Sequence, residues 1–399
     1  MINRRSIMGA GAAIAGAVAT LTGRKAEAKK EAKMKVPEGT IAPRGSIGVL
    51  ERLPELDLDS RQDFLTSFRS LANREMAAAG MKRADAILKE KGIDPKAELP
   101  YAEAIAMLEN DPLISLGSRT WLSAQQLMWN DLKTYFDTNA DRYLSEMEAV
   151  DKKGPGTLDL NPDMKLPEYV KHEIHIQPGG YVGSPFAGHM YHYGTNAFYT
   201  GRNYQDELHR GSAQRMPIPA DGKVKRILDV GCGLGQLTCA LKERFPDAEV
   251  WGIDVGGPMI RYGHLRAVER GVDVNFSQRL AEDTKFPDNH FDIVTSYIAY
   301  HEIDPAGTAA SVKEAWRIVR PGGVWYPLDF KLTGAQRRTA YGSYRSWMDH
   351  RWNNEVWTLK FRQNGLPDMI RKQGFALNEK EPELLQGFGV LNATKPANA

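Results

Sequence analysis

Apolar and polar positions alternate along this chain with two different periods, and the change between them divides the sequence. From residue 56 to residue 153 the apolar side chains recur at helical spacing. From residue 221 onwards, short apolar runs bounded by turn residues alternate with helical stretches, which is typical of an α/β fold. The pattern therefore predicts an all-helical N-terminal domain followed by a mostly parallel sheet flanked by helices.

The helical domain is predicted to contain several helices separated by glycine and proline breaks. The first begins after an N-cap at Ser60 and runs towards Gly80, the second covers residues 82–91, and the third begins near Pro100. A longer apolar stripe at residues 113–150 includes aromatic and methionine side chains. We interpret that stripe as packing against the rest of the domain.

A short apolar strand that ends in a glycine-rich turn is the most informative segment. Gly231, Gly233 and Gly235 alternate with other residues, and Asp229 stands two positions before the first glycine. Glycine permits the positive φ of such a turn and lets the backbone lie close to a ligand. Because Gln236 stands where a dinucleotide-binding fold needs its third glycine, the spacing disfavours a dinucleotide site.

Three further segments follow this turn in order. A second apolar strand ends at Asp254, where a carboxylate can accept hydrogen bonds from both hydroxyls of a bound ribose. The residues Leu280, Ala281 and Glu282 form a turn before the next apolar strand. A Pro-Gly-Gly corner at residues 321–323 then precedes another strand.

Together, these four motifs resemble those of class I methyltransferases that depend on S-adenosylmethionine (SAM), of the type 11 or type 25 kind, over roughly residues 223–396. The resemblance implies an α/β, Rossmann-like sheet of seven strands, mostly parallel with the last strand antiparallel, and SAM as the cofactor. Leu280 is a departure, because the family often has Asp there; backbone groups of Leu280 and Ala281, helped by Glu282, would then hold the adenine. The resemblance assigns cofactor binding to Asp229, Gly231, Gly233, Gly235, Asp254, Leu280, Ala281, Glu282 and Tyr297.

Methyl transfer needs a base only when the acceptor arrives protonated. His301, just after the fourth strand, is the candidate base, and a structural histidine is the alternative that stays open. The aromatic side chains of a helical insertion at residues 331–363 either line the pocket or only pack the insertion onto the helical domain. The candidate residues of the substrate pocket are Tyr193, Asp329, Tyr344 and Trp347.

The segment from residue 154 to residue 220 is rich in aromatic residues, glycine and histidine. His172 and His175 have a spacing that could suit a metal on a helix, as do His189 and His192. A Gln-Pro-Gly-Gly run breaks the chain between the two pairs, and no cysteine or pair of acids joins them. We therefore assign no metal site and expect this segment to form an arm over the active site.

The charge balance narrows the class of partner. A net charge of +2 provides no extended basic surface, so we expect a small-molecule substrate and no nucleic acid. The first 28 residues hold four of the 52 basic residues and one of the 50 acidic residues, so the remainder is close to neutral. Only two cysteines are present, Cys232 and Cys239, and both are expected to be free thiols. The oligomeric state does not follow from these features.

Residues 1–28 resemble a twin-arginine export signal. Arg4 and Arg5 precede a short, weakly apolar run and a small-residue cleavage site at residues 26–28. Residues 29–55 lack clear periodicity and are interpreted as a linker. We expect a periplasmic protein with no stable membrane span in the mature chain; the alternatives are a cytoplasmic or membrane-tethered protein whose signal is unused or uncleaved.

The expected function is transfer of a methyl group from SAM to a small apolar or aromatic acceptor, at oxygen, carbon or nitrogen. The alternative is a non-catalytic SAM-fold module whose helical domain binds a partner. The predicted domains are a signal at 1–28, a linker at 29–55, a helical domain at 56–153, an arm over the active site at 154–220, and a methyltransferase domain at 221–396 with its insertion at 331–363.

Overall fold

Nine strands form the central sheet in a computed structural model that describes residues 46–330, 339–378 and 388–399. A separate two-stranded hairpin, β1 (Ser46–Ile47) and β2 (Leu50–Glu51), precedes it inside the segment expected to be a linker. The strands of the sheet are β3 (Thr157–Asp159), β4 (Arg226–Val230), β5 (Glu249–Asp254), β6 (Asn275–Gln278), β7 (Phe291–Tyr297), β8 (Val319–Phe330), β9 (Ala376–Asn378), β10 (Phe388–Val390) and β11 (Asn392–Thr394).

The sheet is mixed but mostly parallel. Its order is β3-β6-β5-β4-β7-β8-β11-β9, and the strands from β3 to β8 pair in parallel. β10 and β11 both pair antiparallel with β8, and β9 pairs antiparallel with β11. The Rossmann-like α/β class is therefore confirmed. The carboxyl ends of β4, β5, β7 and β8 meet at one edge, where open α/β folds bind their ligands.

The expected count of seven strands is wrong for two physical reasons. β8 is long enough for two short antiparallel partners to pair with it one after the other, with Val390 opposite Leu328 and Ala393 opposite Trp325. At the other edge, β3 adds a strand of only three residues. It can approach β6 because Gly156 has a φ of +80°, at a point where a Cβ would lie 1.9 Å from a carbonyl oxygen.

Helices cover both faces of the sheet and form the N-terminal region. Their apolar faces define where they pack. The helices are α1 (Leu56–Leu71), α2 (Ala77–Glu90), α3 (Tyr101–Leu108), α4 (Pro112–Thr138), α5 (Ala140–Glu148), α6 (Ala187–Phe198), α7 (Glu207–Arg215), α8 (Gln236–Arg244), α9 (Gly257–Glu269), α10 (Pro305–Ile318), α11 (Ala340–Trp352), α12 (Thr358–Phe361) and α13 (Leu366–Gln373).

The first two predicted helices have different bounds in the structure. α1 begins at Leu56 rather than after Ser60, and a π-helical turn at Ala72–Met76 joins it to α2. Gly80 is a buried residue inside α2, not a helix end. A Cβ at Gly80 would lie 2.7 Å from the ring of Tyr341, so this glycine permits close packing instead of ending the helix.

The long apolar stripe forms two helices instead of one. α4 starts at the N-cap Asp111, whose carboxylate accepts hydrogen bonds from the backbone N–H groups of Leu113 and Ile114 at 3.1 and 3.2 Å. It ends at Asn139, after which α5 begins. Pro112 at the first helical position fixes the start of α4 as the sequence predicts for an Asp-Pro break.

The helical region shares a hydrophobic core with the sheet-bearing part. Trp129 and Phe136 of α4 and Met190 of α6 lie in the same buried cluster as Met259 and Tyr262 of α9. Gly194 of α6 lets the Trp129 ring approach, since a Cβ there would lie 2.2 Å from it. The segment 154–220 therefore connects the helical region to α9 through buried contacts.

The expected signal at residues 1–28 and the first part of the linker lie outside the described residues. So does the beginning of the insertion, residues 331–338. Its described remainder includes α11, which packs on α2, α3 and the start of α4. Among the helices that the structure describes, none has the length and apolar character that crossing a bilayer requires.

Candidate active site

The glycine-rich turn joins the carboxyl end of β4 to α8. Gly231, Gly233 and Gly235 have φ values of +65°, +53° and +73°, a region that side-chain-bearing residues rarely adopt. Two of these positions also touch their neighbours closely. A Cβ at Gly231 would lie 2.7 Å from Ala299, and one at Gly235 would lie 2.3 Å from the Phe276 ring. The turn therefore depends on glycine for both conformation and space.

Asp254, at the end of β5, faces this turn. Its carboxylate accepts hydrogen bonds from the backbone N–H of Gly233 at 2.9 Å and of Gly256 at 2.7 Å. Burial raises the pKa of Asp254, while these N–H groups act in the opposite direction. The residue stays partly accessible. It can therefore hold the turn and still present a carboxylate to a ligand lying on the glycines.

Asp229, two residues before the turn, is fully buried. One carboxylate oxygen accepts a hydrogen bond from Thr238 Oγ1 at 2.7 Å, and the other has no hydrogen-bond partner in the described chain. Burial, with a smaller contribution from the charge of Asp254, raises the pKa of Asp229 to about 7, although the Thr238 bond lowers it. Asp229 thus stabilises the turn through its buried hydrogen bond with Thr238 at the start of α8.

The residues expected to surround the adenine lie together beyond β6. Leu280 pairs with Asp283 in an isolated β-bridge, and Ala281 and Glu282 form the turn between them. Leu280, Ala281 and Glu282 are all partly accessible. The Glu282 carboxylate accepts hydrogen bonds from the Tyr169 hydroxyl at 2.9 and 3.0 Å, which fixes this turn to the segment 154–220.

His301 and Asp329 form a buried pair where β7 and β8 end. Asp329 Oδ1 lies 2.9 Å from His301 Nδ1, and Asp329 Oδ2 accepts a hydrogen bond from the His301 backbone N–H at 3.2 Å. His301 Nε2 lies 3.3 Å from Glu302 Oε1. Burial lowers the pKa of His301, but the negative charges of Asp329 and Glu302 outweigh it and hold that pKa well above its usual value.

Two residues that the sequence analysis did not assign complete this buried group. His175 Nδ1 lies 2.8 Å from Glu355 Oε1, and His175 Nε2 lies 3.5 Å from Glu302 Oε1. Thr358 Oγ1 donates a hydrogen bond to Glu355 Oε2 at 2.8 Å. We call His175, His301, Glu302, Asp329 and Glu355 the His-Glu cluster.

The sequence contained little signal for these two residues. The spacing of His172 and His175 suits a metal only if both lie on a helix. In the structure, His175 lies in a short 3₁₀ turn with a φ of +55°. Glu355 follows α11, in an insertion whose predicted pocket residues are the aromatic Tyr344 and Trp347. Only the folded chain brings these two residues to Glu302.

Three candidate pocket residues have their contacts elsewhere. Tyr193 packs in the helical core with its ring 6.0 Å from that of Phe136. Tyr344 and Trp347 pack against α2 and α3, and the Tyr344 hydroxyl lies 2.9 Å from Ser118 Oγ. These side chains therefore pack in the helical region, and their assignment to the substrate pocket stays a prediction. Asp329 alone of the four lies in the cluster.

Tyr297 ends β7, and its ring lies 4.5 Å from that of His209. His189 and His192, also in the segment 154–220, contribute packing contacts. The His189 ring lies 4.4 Å from the Tyr262 ring, and His192 Nδ1 lies 2.8 Å from the Tyr262 hydroxyl. Burial lowers the pKa of His189 and of His209 to about 3, so both rings are neutral.

Both cysteines are free, as expected. Cys239 is buried in α8, and burial raises the pKa of its thiol to about 12. Burial and the neighbouring acids Asp254 and Asp229 also raise the pKa of Cys232 well above its usual value. Neither thiol is therefore an activated nucleophile.

Comparison with known proteins points to the same turn and strands. A family described as a methyltransferase domain matches residues 227–323. A demethylmenaquinone methyltransferase of Thermus thermophilus is 41% identical over 106 residues, which are 27% of this chain and 47% of that protein. A ubiquinone/menaquinone biosynthesis C-methyltransferase of Cupriavidus necator is 34% identical over 120 residues, 30% of this chain and 49% of that protein.

A solved structure of a phosphoethanolamine N-methyltransferase from Haemonchus contortus with bound SAM is similar at 16% identity and a TM-score of 0.38, covering 50% of this chain and 55% of that one. The chain spans about half the length of the curated relatives it matches. The matched segment, residues 227–323, is a class I SAM-dependent methyltransferase domain, and SAM is its methyl donor. The cofactor expected from the sequence is confirmed.

The residues of the site fit this cofactor. A side chain at Gly231 or Gly235 would collide with residues packed against the turn. The accessible Asp254 carboxylate lies beside the same turn. The Leu280 to Glu282 turn lies after the neighbouring strand β6, since Asp254 pairs with Gln278. SAM would therefore be held by the glycine-rich turn, by Asp254 and by the turn at residues 280–282.

Proposed function

We propose that the whole protein is a methyltransferase that transfers the methyl group of SAM to a small apolar or aromatic acceptor. The observation that carries this proposal is that the glycine-rich turn with Asp254 and the buried His301–Asp329 pair lie at the same edge of the sheet. SAM supplies an activated methyl group on a sulfonium, so the protein mainly has to align the acceptor and exclude water.

His301 is the residue that we propose for acid–base work. Asp329 engages its Nδ1 and its backbone N–H, so the ring orientation is fixed and Nε2 lies beside the Glu302 carboxylate. A residue held this way can hold or donate a proton at one defined atom. Asp329 acts as a positioning residue in this scheme.

The names of the relatives suggest which acceptors to test first. One is described as acting on demethylmenaquinone, and the other as a C-methyltransferase of ubiquinone and menaquinone biosynthesis. Both names refer to quinones, which are largely apolar ring compounds and fit the acceptor class proposed for this chain. Quinone-type acceptors are therefore the first probes, and transfer to carbon the first reaction to assay.

Calorimetric titration of the purified chain with SAM tests the proposal at its first step. We expect saturable binding that is lost in Asp254→Ala and kept in Asp288→Ala, a matched exposed acid whose side chain is 71% accessible. A folded wild-type protein that does not bind SAM would contradict the proposal. Binding of SAM without turnover of any acceptor in a metabolite extract would favour the non-catalytic module instead.

We also propose that the protein is exported. The support is the twin-arginine pattern at Arg4 and Arg5 with a small-residue site at residues 26–28. N-terminal sequencing of the protein from a periplasmic fraction tests it, with a new N terminus close to residue 29 as the expected result. An intact start found only in the cytosolic fraction would overturn this proposal.

A further inference from the structure

Three separate parts of the chain meet in the His-Glu cluster. His175 comes from the turn Ile174–Ile176, Glu302 from the turn Tyr300–Glu302, and Glu355 from the chain that follows α11. One potential ligand atom from each of these three residues lies within 4.8 Å of the other two. In the part of the chain that the structure describes, these three residues are the group of histidine, cysteine or acidic side chains whose ligand atoms lie this close together.

The backbone around His175 is held in an uncommon conformation by buried donors. His175 and Ile176 have φ values of +55° and +51°. The carbonyl of His175 accepts hydrogen bonds from Gln125 Nε2 at 2.6 Å and from Trp129 Nε1 at 2.9 Å. Two side chains of α4 thus aim the imidazole of His175 at the acids. Strained backbone that is fixed in this way concentrates at functional sites.

Glu302 is the acid of the cluster whose two carboxylate oxygens both lack a hydrogen-bond partner among the described residues. It is only 9% exposed. Over the same described ranges, the ion pairs of Glu302, Glu355 and Asp329 are all with His175 and His301. Three buried carboxylates therefore face two imidazoles, and a buried carboxylate without donors is unfavourable unless a cation compensates it.

We propose that His175, Glu302 and Glu355 bind one divalent first-row transition cation. An imidazole with two carboxylates suits Mn²⁺, Fe²⁺ or Zn²⁺, whereas Mg²⁺ and Ca²⁺ prefer sites made of oxygen alone. Nitrogen and oxygen ligands lie about 2.0–2.2 Å from such a cation, so neighbouring ligands are roughly 3–3.5 Å apart. The three ligand atoms, already within 4.8 Å of one another, reach that spacing through small side-chain shifts.

The surroundings of the cluster match those of a metal site. Metal ligands are themselves held by hydrogen bonds from neighbouring side chains. Thr358 Oγ1 donates to Glu355 Oε2 at 2.8 Å, and His301, held by Asp329, lies beside the Glu302 carboxylate. The proposal rests on this geometry and not on the proposed methyl transfer, so the two can be tested separately.

The test is a titration of the full chain, stripped of metal with a chelator, with Mn²⁺ and separately with Zn²⁺ in the absence of SAM. We expect one cation per chain. Glu302→Gln keeps the shape of the side chain and removes its charge, so binding should weaken by at least about a hundredfold, more than the loss of an outer partner causes. Glu314→Gln is the matched control, because Glu314 is a buried acid that pairs with Arg317 outside the cluster.

Thermal unfolding separates a binding defect from a folding defect. Mn²⁺ should raise the melting temperature of the wild type and of Glu314→Gln but not of Glu302→Gln. The melting temperature of Glu302→Gln without added cation is its own baseline, because this variant also loses the ion pairs with His175 and His301. If Glu302→Gln does not fold, Glu355→Gln replaces it in both experiments.

A wild-type chain that binds neither cation, or a folded Glu302→Gln that binds as tightly as the wild type, overturns the proposal. The same preparations titrated with SAM show whether the cofactor site is intact. A chain that binds SAM but no cation overturns the metal site alone. A chain that binds the cation but no SAM supports the metal site and contradicts the proposed function.

Discussion

At the scale of single residues, Gly235 combines two demands that only glycine meets. Its φ is +73°, and a Cβ would lie 2.3 Å from a Phe276 ring atom. Gly222 shares the first demand, with a φ of +71°, but nothing lies within 4 Å of its Cβ position. Comparing alanine at these two positions therefore separates backbone strain from lack of space.

Gly222→Ala should lower the free energy of unfolding by about 1 kcal/mol, the cost of a left-handed conformation for alanine. Gly235→Ala should lose roughly 1–3 kcal/mol more, because the methyl group displaces the Phe276 ring. It should also weaken SAM binding, since the turn moves. Urea unfolding and calorimetry measure both effects. Equal losses for the two variants would contradict the role given to the close contact.

Asp229 gives the stability a pH dependence of known sign. Its pKa is raised to about 7 in the folded protein, whereas an unfolded chain has an aspartate pKa of about 3.9. Between these two pKa values, the folded state holds a proton that the unfolded state has released. The contribution of Asp229 to the free energy of unfolding is therefore largest below pH 4 and decreases as the pH rises to 7.

Asp229→Asn has no proton to lose. Its free energy of unfolding relative to the wild type should therefore rise by roughly 2–3 kcal/mol from pH 5 to pH 7. Urea unfolding at three pH values measures the difference. Thr238→Val removes the hydrogen bond that favours the ionised carboxylate, which should raise the pKa of Asp229 further. The decrease in the free energy of unfolding should then continue to higher pH than in the wild type. A difference between Asp229→Asn and wild type that does not change with pH would contradict the assignment.

At the scale of elements, the strands that bear the cofactor residues could be predicted because each is a short apolar run ending in a glycine or an acid. Helix ends were less predictable. Gly80 looks like a terminator in the sequence, but its partner Tyr341 lies far along the chain, and their close packing explains the glycine. β3 is too short to show periodicity and forms only because β6 offers it an edge.

The candidate site was predictable only where its residues follow strands. Asp254, His301 and Asp329 each stand at or just after the end of a strand, and the structure places all three at the edge that binds ligands. His175 and Glu355 lie in irregular segments, and only tertiary packing brings them to Glu302. No local pattern marks such residues.

The link between α4 and the site can be tested at Gln125. This fully buried side chain accepts a hydrogen bond from Arg69 Nη1 and donates one to the His175 carbonyl. Gln125→Leu should lower the free energy of unfolding by about 2–4 kcal/mol, because it leaves the buried Arg69 with less compensation. Gln126→Leu, one position along on the exposed face, should change it by less than about 0.5 kcal/mol. Similar losses in urea unfolding would contradict this link.

At the scale of the whole molecule, the helical region and the sheet behave as one body. Residues 46–399 form a single compact unit. Met128, Phe136 and Tyr143 of the helical region share a buried cluster with Met259 and Leu265 of α9. An ion pair of Arg261 with Asp151 at 2.6 Å also crosses between the two regions. Arg266 donates a hydrogen bond at 2.5 Å to the Val49 carbonyl in the preceding hairpin. Neither region has a complete core without the other.

A shared core predicts one unfolding transition instead of two. Two probes should therefore give the same urea midpoint. One is the ellipticity at about 222 nm, which reports mainly on helices, and the other is tryptophan fluorescence. SAM, which binds only the folded glycine-rich turn, should raise both midpoints together, because the helices cannot unfold while α9 stays folded. Tyr262→Ala, which opens the shared cluster, should lower both by the same amount and cost about 3–5 kcal/mol. Two separated midpoints, or a SAM effect on fluorescence alone, would show that the helical region unfolds independently of the methyltransferase domain.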